Sequence, residues 1–277
     1  MLAPSGRKSY RCVFSSNKDM EVMSELHKAL LYFISKTLGI KRMWNAVILV
    51  VCLLLCTCSS IYGSVPNIEI VDTPTTEVLD NETLNISLRI YQNGGVLTKF
   101  LFSITHRINI GLSIDCDNII GKEKIDVHQP QMQVKVRFFD GNMYFPSLLF
   151  GYDSQGYVYD SSTGKYTTPQ KGLYLVGTKE IFLPGLELHA GINIYDFEKD
   201  TLYSFLGWTL KLLNDKLIIL SEIDNIRNIS EVRVNIGLRM SVAQNLAVEI
   251  STRNINRTSN MVERILRLYY VFSWKRG

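Results

Sequence analysis

From Leu84 onward the sequence alternates apolar and polar residues with a period of two, and this alternation scarcely stops before Trp274. In an extended strand successive side chains point to opposite faces. The stretch Val262 to Trp274 therefore puts Leu266, Leu268, Tyr270, Phe272 and Trp274 on one face, and Arg267, Tyr269, Val271 and Ser273 on the other. Such two-faced segments recur at 84–91, 97–105, 108–115, 132–139, 145–153, 171–181, 186–195, 202–212, 217–224, 232–242, 246–253 and 262–274. With 14 Tyr, 12 Phe and many β-branched residues, the composition suits strands.

About twelve strands with aliphatic faces this pure would enclose an interior too wide for those side chains to fill. Pointing the apolar faces outward to lipid resolves the difficulty. The expected fold is all-β, an antiparallel up-and-down transmembrane β-barrel of about twelve strands, with an even strand count as in bacterial outer-membrane barrels. The connections sort by parity in the same sense. Those at His106-Arg107, Gly141 to Tyr144, Phe182 to Gly185, Asn214-Asp215 and Ala243 to Asn245 are short. Those at Cys116 to Pro130, Ser154 to Gln170, Asp196 to Thr201 and Asn254 to Asn260 are longer. Short turns on the periplasmic side and longer loops outside are the barrel pattern. The competing arrangement is a soluble secreted β-sandwich or lipocalin-like binding protein, with apolar faces turned inward.

The N-terminal quarter reads differently. Residues 46–58, AVILVVCLLLCTC, follow Lys41-Arg42 and precede small residues, the order of a secretory signal. Residues 43–64 are accordingly expected to be a helical signal segment and residues 1–42 an N-terminal extension. Residues 65–83, polar and carrying Pro66 and Pro74, are expected to be a periplasmic lead-in, and 84–277 the barrel. Charge follows this division. Of 30 basic and 26 acidic residues, 22 and 23 lie beyond residue 64. A nucleic-acid partner thus has no electrostatic support in the body. Four of five cysteines precede residue 59, so Cys116 stands alone in the body and neither a disulfide framework nor a metal site is expected.

The run from Phe138 to Tyr195 resembles the paired-strand signature of the YjbH-like outer-membrane proteins, carried by Pro146, Gly151, Asp153, Gly156, Gly172, Lys179 and Gly191. The resemblance implies an outer-membrane barrel associated with exopolysaccharide export. Outer-membrane lipid and the barrel-assembly machinery are the expected partners, with a periplasmic export partner or an anionic polysaccharide beside them.

If the apolar faces meet lipid, the lumen receives Arg89, Lys135, Arg137, Glu187, His189, Lys211, Glu222, Asp224, Arg233, Arg239, Glu249, Arg253 and Arg267. These residues brace the interior as a salt-bridged network, or they line a pore whose basic excess favours anions. No catalytic residue, metal ligand or cofactor is assigned. His189 lacks a Gly-x-Ser-x-Gly elbow, Glu222 and Asp224 are adjacent acids on one strand face, and Asp196, Glu198 and Asp200 lack a calcium-loop spacing. The expected role is structural, pore-forming or export-accessory, without enzymatic activity, in the bacterial outer membrane after signal removal.

Overall fold

The computed structural model describes residues 65–160, 163–195, 202–227, 231–257 and 262–274. The expected extension, signal segment and Asp196–Asp200 cluster fall outside these residues. All described residues belong to the compact unit Cys58–Gly277.

The strands are β1 (Thr83–Ile90), β2 (Val96–Thr105), β3 (Ile108–Asp117), β4 (Asp126–Val127), β5 (Gln131–Phe139), β6 (Ser147–Asp153), β7 (Tyr157–Asp160), β8 (Lys165–Thr168), β9 (Gly172–Glu180), β10 (Leu186–Ile194), β11 (Leu202–Leu212), β12 (Leu217–Ile226), β13 (Arg233–Ala243), β14 (Leu246–Arg253) and β15 (Glu263–Ser273). Twelve of them form one antiparallel sheet in which each barrel strand pairs with its chain neighbour. The sheet closes where β1 meets β15 over an unbroken register from Thr83↔Ser273 to Ile90↔Leu266. Closure removes both sheet edges, which would otherwise expose unpaired backbone groups. The three short strands lie outside this ring: β4 pairs with the end of β3, and β7 with β8 in the connection from β6 to β9.

The faces are oriented as a membrane barrel requires. Outward-pointing Ile110, Phe150, Ile192, Ile219, Leu238, Ile250, Leu268 and Tyr270 are all exposed, on strands spread around the ring. A soluble sandwich or lipocalin-like barrel would bury this set, so that alternative is corrected by the direction of the faces. Phe102, Phe272 and Trp274 cluster outside the short-turn end, with ring centroids 5.4–5.6 Å apart, in the manner of an interfacial aromatic girdle. Tight turns join β2 to β3 and β11 to β12, the latter with Leu213, Asn214 and Asp215 all at positive φ.

The lumen departs from the expected arrangement. Residues 65–82 are no periplasmic lead-in. They run into the barrel from its short-turn mouth, reverse and return to β1. Val65 packs on Ala247, Tyr269 and Val271 near that mouth. Asp72 reaches Arg89 and Arg253 at the loop ends of β1 and β14. On the way back Leu79 donates its N–H to Asn109 Oδ1 and accepts from Ser103 Oγ beside the β2–β3 turn. The reversal is a tight turn, with Ile70 N–H bonded to Thr73 O at 2.9 Å and Thr75 N–H to Ile68 O at 3.1 Å. The chain goes inside because it is matched there: Ile70 and Val71 pack against Ile218, Leu220 and Ile265, apolar residues on the inner wall. Gly207 leaves the space that Ile70 fills, for a Cβ there would lie 2.3 Å from Ile70 Cδ1.

Substituting a lipid-facing residue tests the orientation. Leu268→Arg is expected to lower the stability of the barrel in lipid vesicles by about 2–4 kcal/mol, the range for a charge at bilayer mid-depth. Urea unfolding followed by tryptophan fluorescence measures it, and a change within about 0.5 kcal/mol, ordinary for a water-exposed position, would contradict a lipid-facing Leu268.

Candidate functional site

The inner face of the wall gathers basic residues from seven of its twelve strands and from Lys171 just before β9, and the hairpin of residues 65–82 supplies counter-charges to them. Among the described residues, nine wall cations face the interior: Arg89, Lys99, Lys135, Lys171, Lys211, Arg233, Arg239, Arg253 and Arg267. Seven wall carboxylates accompany them: Asp115, Asp153, Glu187, Glu222, Asp224, Glu249 and Glu263. The hairpin brings three more acids to the wall, Glu69, Asp72 and Glu77, and contains no basic residue. The hairpin therefore adds negative charge where the wall's cations outnumber its carboxylates.

Two of these three acids are placed between cations of different strands, and the third between a wall cation and the hairpin's own backbone. Asp72 lies between Arg89 at 2.9 Å and Arg253 at 3.0 Å. Glu69 lies between Lys99 at 3.2 Å and Arg267 at 3.1 Å. Glu77 accepts from Lys211 at 2.9 Å and from the Asn67 backbone N–H. Charge-assisted bonds of this kind are about twice as strong as neutral ones. Burial makes each pair costly to break, because a lone buried charge is left behind.

The backbone of the hairpin is held in both polarities. At the tip, Glu222 accepts the N–H groups of Val71, Asp72 and Thr73 at 2.9–3.0 Å, together with the Thr73 hydroxyl at 2.7 Å and the Asn235 amide at 2.6 Å. Carbonyls along the same turn are taken by wall cations. Arg239 donates to Glu69 O at 2.8 Å and Ile70 O at 3.1 Å, Arg267 to Val71 O at 2.8 Å, and Lys135 to Ile68 O at 2.7 Å. Arg239 also bonds Asn67 and Glu249, and lies 4.4 Å from the ring centre of Tyr269. Between hairpin and wall there is a cavity of about 30 Å³, lined by Ile68, Glu69, Asp72, Pro74, Lys99 and Lys135. That is room for one or two water molecules.

A second element reaches into the lumen from the loop mouth. The β7–β8 hairpin turns Tyr157 into the lumen, with Arg89 4.3 Å and Arg253 4.9 Å from its ring centre. Lys99 donates to its hydroxyl at 3.4 Å. Burial pushes the Tyr157 phenol up to about 12, so it stays neutral. The next residue, Val158, has φ 57°, a strained value for a β-branched side chain, held by this anchoring. His128 stacks on Tyr159 at 4.0 Å above it and bonds Asp117. The two arginines that hold the tip of the inner hairpin are thus the two that seat the outer one.

Of the thirteen residues singled out from sequence, Arg89, Lys135, Glu222, Arg239, Arg253 and Arg267 meet in this network, joined by Glu249 through Arg239. Asp224 is held by Lys171 and Arg233 at the loop mouth. Glu187 and Lys211 pair near the turn mouth. Arg137 lies at the rim, ion-paired with Asp140 of the adjacent turn. His189 is fully buried in the wall between Thr178 at 2.9 Å and Thr209 at 3.1 Å. Sequence reasoning missed Lys99, Lys171, Glu263 and all three hairpin acids. The one sequence signal for the hairpin was the apolar content of a wall face expected to be polar, at Ile218, Leu220 and Ile265.

No protein-family model matches the chain, and no curated protein matches it. Among solved structures, a KdgM porin is similar at TM-score 0.48 and 11% identity, over 69% of this chain and 99% of that one. A KdgM porin in complex with disordered oligogalacturonate gives 0.47 and 10%, over the same shares. OprB of Pseudomonas putida at high pH gives 0.30 and 14%, over 64% and 59%. The assignment of this chain as a closed, twelve-stranded transmembrane barrel of the outer-membrane type rests on its own strand pairing and outward apolar face.

Glu222→Gln tests the clamp at the tip, since an amide offers one acceptor oxygen where the carboxylate offers two. Each oxygen accepts at least one tip amide, so at least one charge-assisted bond to the tip is lost, about 1.5–3 kcal/mol, and hydrogen exchange at the amides of residues 71–73 is expected to speed up by about tenfold to a hundredfold or more. Exchange unchanged in these amides would contradict the clamp.

Proposed function

We propose that this protein is an outer-membrane barrel that is closed at rest, with a structural or export-accessory role, whose lumen becomes a path only when the inner hairpin is released. One observation carries the reading: the hairpin of residues 65–82 brings three carboxylates to a wall whose cations outnumber its acids, and its tip is bonded from both polarities inside the lumen. An always-open diffusion channel needs a lumen lined by solvated side chains. Here most of the wall's charged groups are spent on the hairpin or on one another. With the hairpin withdrawn, the wall would carry a positive surplus and favour anions over cations. The YjbH-like resemblance supports exopolysaccharide as the class of cargo. The closed lumen supports dependence on a periplasmic export partner that acts on the hairpin from the short-turn side. Signal removal and insertion by the barrel-assembly machinery belong to the same reading, and catalysis does not.

Planar-bilayer recording on the full chain tests it. The native protein is expected to show no sustained conductance in symmetric potassium chloride. The double variant Glu69→Gln/Asp72→Asn, which breaks pairs costing about 3–5 kcal/mol each to lose, is expected to open and to pass chloride in preference to potassium. Sustained conductance of the native protein equal to that of the variant would overturn the closed reading.

A further inference from the structure

The carboxylates of Glu69 and Asp72 sit in the lumen as a bound solute would. Each is bridged by two cations from separate strands, Asp72 by Arg89 and Arg253, Glu69 by Lys99 and Arg267. Three of these cations have further wall acids within reach: Arg253 has Glu263, Lys99 has Asp153 at 3.5 Å, and Arg267 has Glu249 at 3.9 Å. Arg89 differs. Among the described residues Asp72 is the one carboxylate within ion-pair distance of it, and its buried Nη2 makes no hydrogen bond. A guanidinium so buried, with a donor spare and its counter-ion on a removable segment, is a site built for a carboxylate that can leave. The ring of Tyr157 lies against the same guanidinium and holds it in place.

Resting on the closed-barrel reading above, we propose that the lumen binds a soluble ligand with two or more carboxylates at the cations now held by Glu69 and Asp72, and that this ligand replaces the hairpin. The hairpin is then a tethered competitor. Tethering gives it an effective concentration on the order of millimolar for a short, flexible link, so a free polycarboxylate must work in that range or above. Binding of the ligand and seating of the hairpin exclude each other, so ligand shifts the population toward the released hairpin. Because Arg89 and Arg253 also seat Tyr157, the ligand inherits the contact to the outer hairpin.

The test uses the full chain in detergent micelles, with citrate as the polycarboxylate and inorganic phosphate at matched ionic strength as control. Citrate at millimolar concentration is expected to speed hydrogen exchange at residues 70–73 at least tenfold, with phosphate changing it less than twofold. Calorimetry is expected to show citrate binding the variant Asp72→Asn at least tenfold more tightly than the native protein, since the variant removes one of the two competing carboxylates and keeps every cation. A heat-dependent gel shift confirms that the variant is still a folded barrel. Equal effects of citrate and phosphate would overturn the carboxylate site in favour of general anion screening. Citrate affinity unaltered by Asp72→Asn in the folded variant would overturn competition with the hairpin. Either result leaves the closed-barrel reading standing if the ligand-free protein remains silent in bilayers, and sustained conductance without ligand overturns that reading instead.

Discussion

The neutralisation of a basic wall by an acidic hairpin is the interaction on which the lumen depends. Twelve strands enclose a space too wide for their own inward side chains to close, and a lining rich in arginine repels itself when packed without counter-ions. Residues 65–82 answer both needs at once, with Ile70 and Val71 filling volume at the centre and Glu69, Asp72 and Glu77 supplying charge around it. Buried pairs of this kind are not strong evidence of stability, because desolvation offsets much of their attraction. They are costly to break singly, and that fixes the hairpin in one position. Glu222 illustrates the specificity: its carboxylate is useful only against the tip in this register, where three consecutive backbone N–H groups converge on it.

The strands were legible in the sequence because a half-buried strand writes its orientation in every second residue. Segments such as 186–194 and 246–253 lie within a residue of where alternation puts them, and the inward direction of Arg239 and Arg267 follows from the same count. The hairpin was illegible for an equally physical reason. It has no periodic pattern, contains Pro66 and Pro74, and its acids look like those of any solvated segment. What holds it are contacts between residues 17 to 198 positions apart, from Asp72 with Arg89 to Glu69 with Arg267. Composition cannot announce such partners. Ile218, Leu220 and Gly207 did carry a trace, since two apolar residues and a vacancy on a lumen face require something to pack there.

The residues that carry the YjbH-like resemblance gain structural explanations. Gly151 lies across from Tyr174 and Gly191 across from Phe205 in the strand register, and a Cβ on either would fall 2.3 Å from the facing ring. Asp153 reaches Lys99, and Lys179 donates to the carbonyls of Asn142 and Met143 in the neighbouring turn. Glycine–aromatic pairing across strands pins register and lets large rings fold over the inner wall. These positions therefore speak first to how this part of the barrel packs.

The location of the hairpin is most directly tested by cross-linking in intact membranes. With Cys116 replaced by serine, cysteines at Ile70 and Gly207 would face each other across the packing contact at the centre of the lumen. The account predicts near-complete disulfide formation on mild oxidation, seen as a mobility shift after denaturation that reductant reverses. No cross-link, with the cysteine at position 70 freely labelled by a bulky thiol reagent from the periplasmic side, would place the hairpin outside the barrel and contradict the closed lumen.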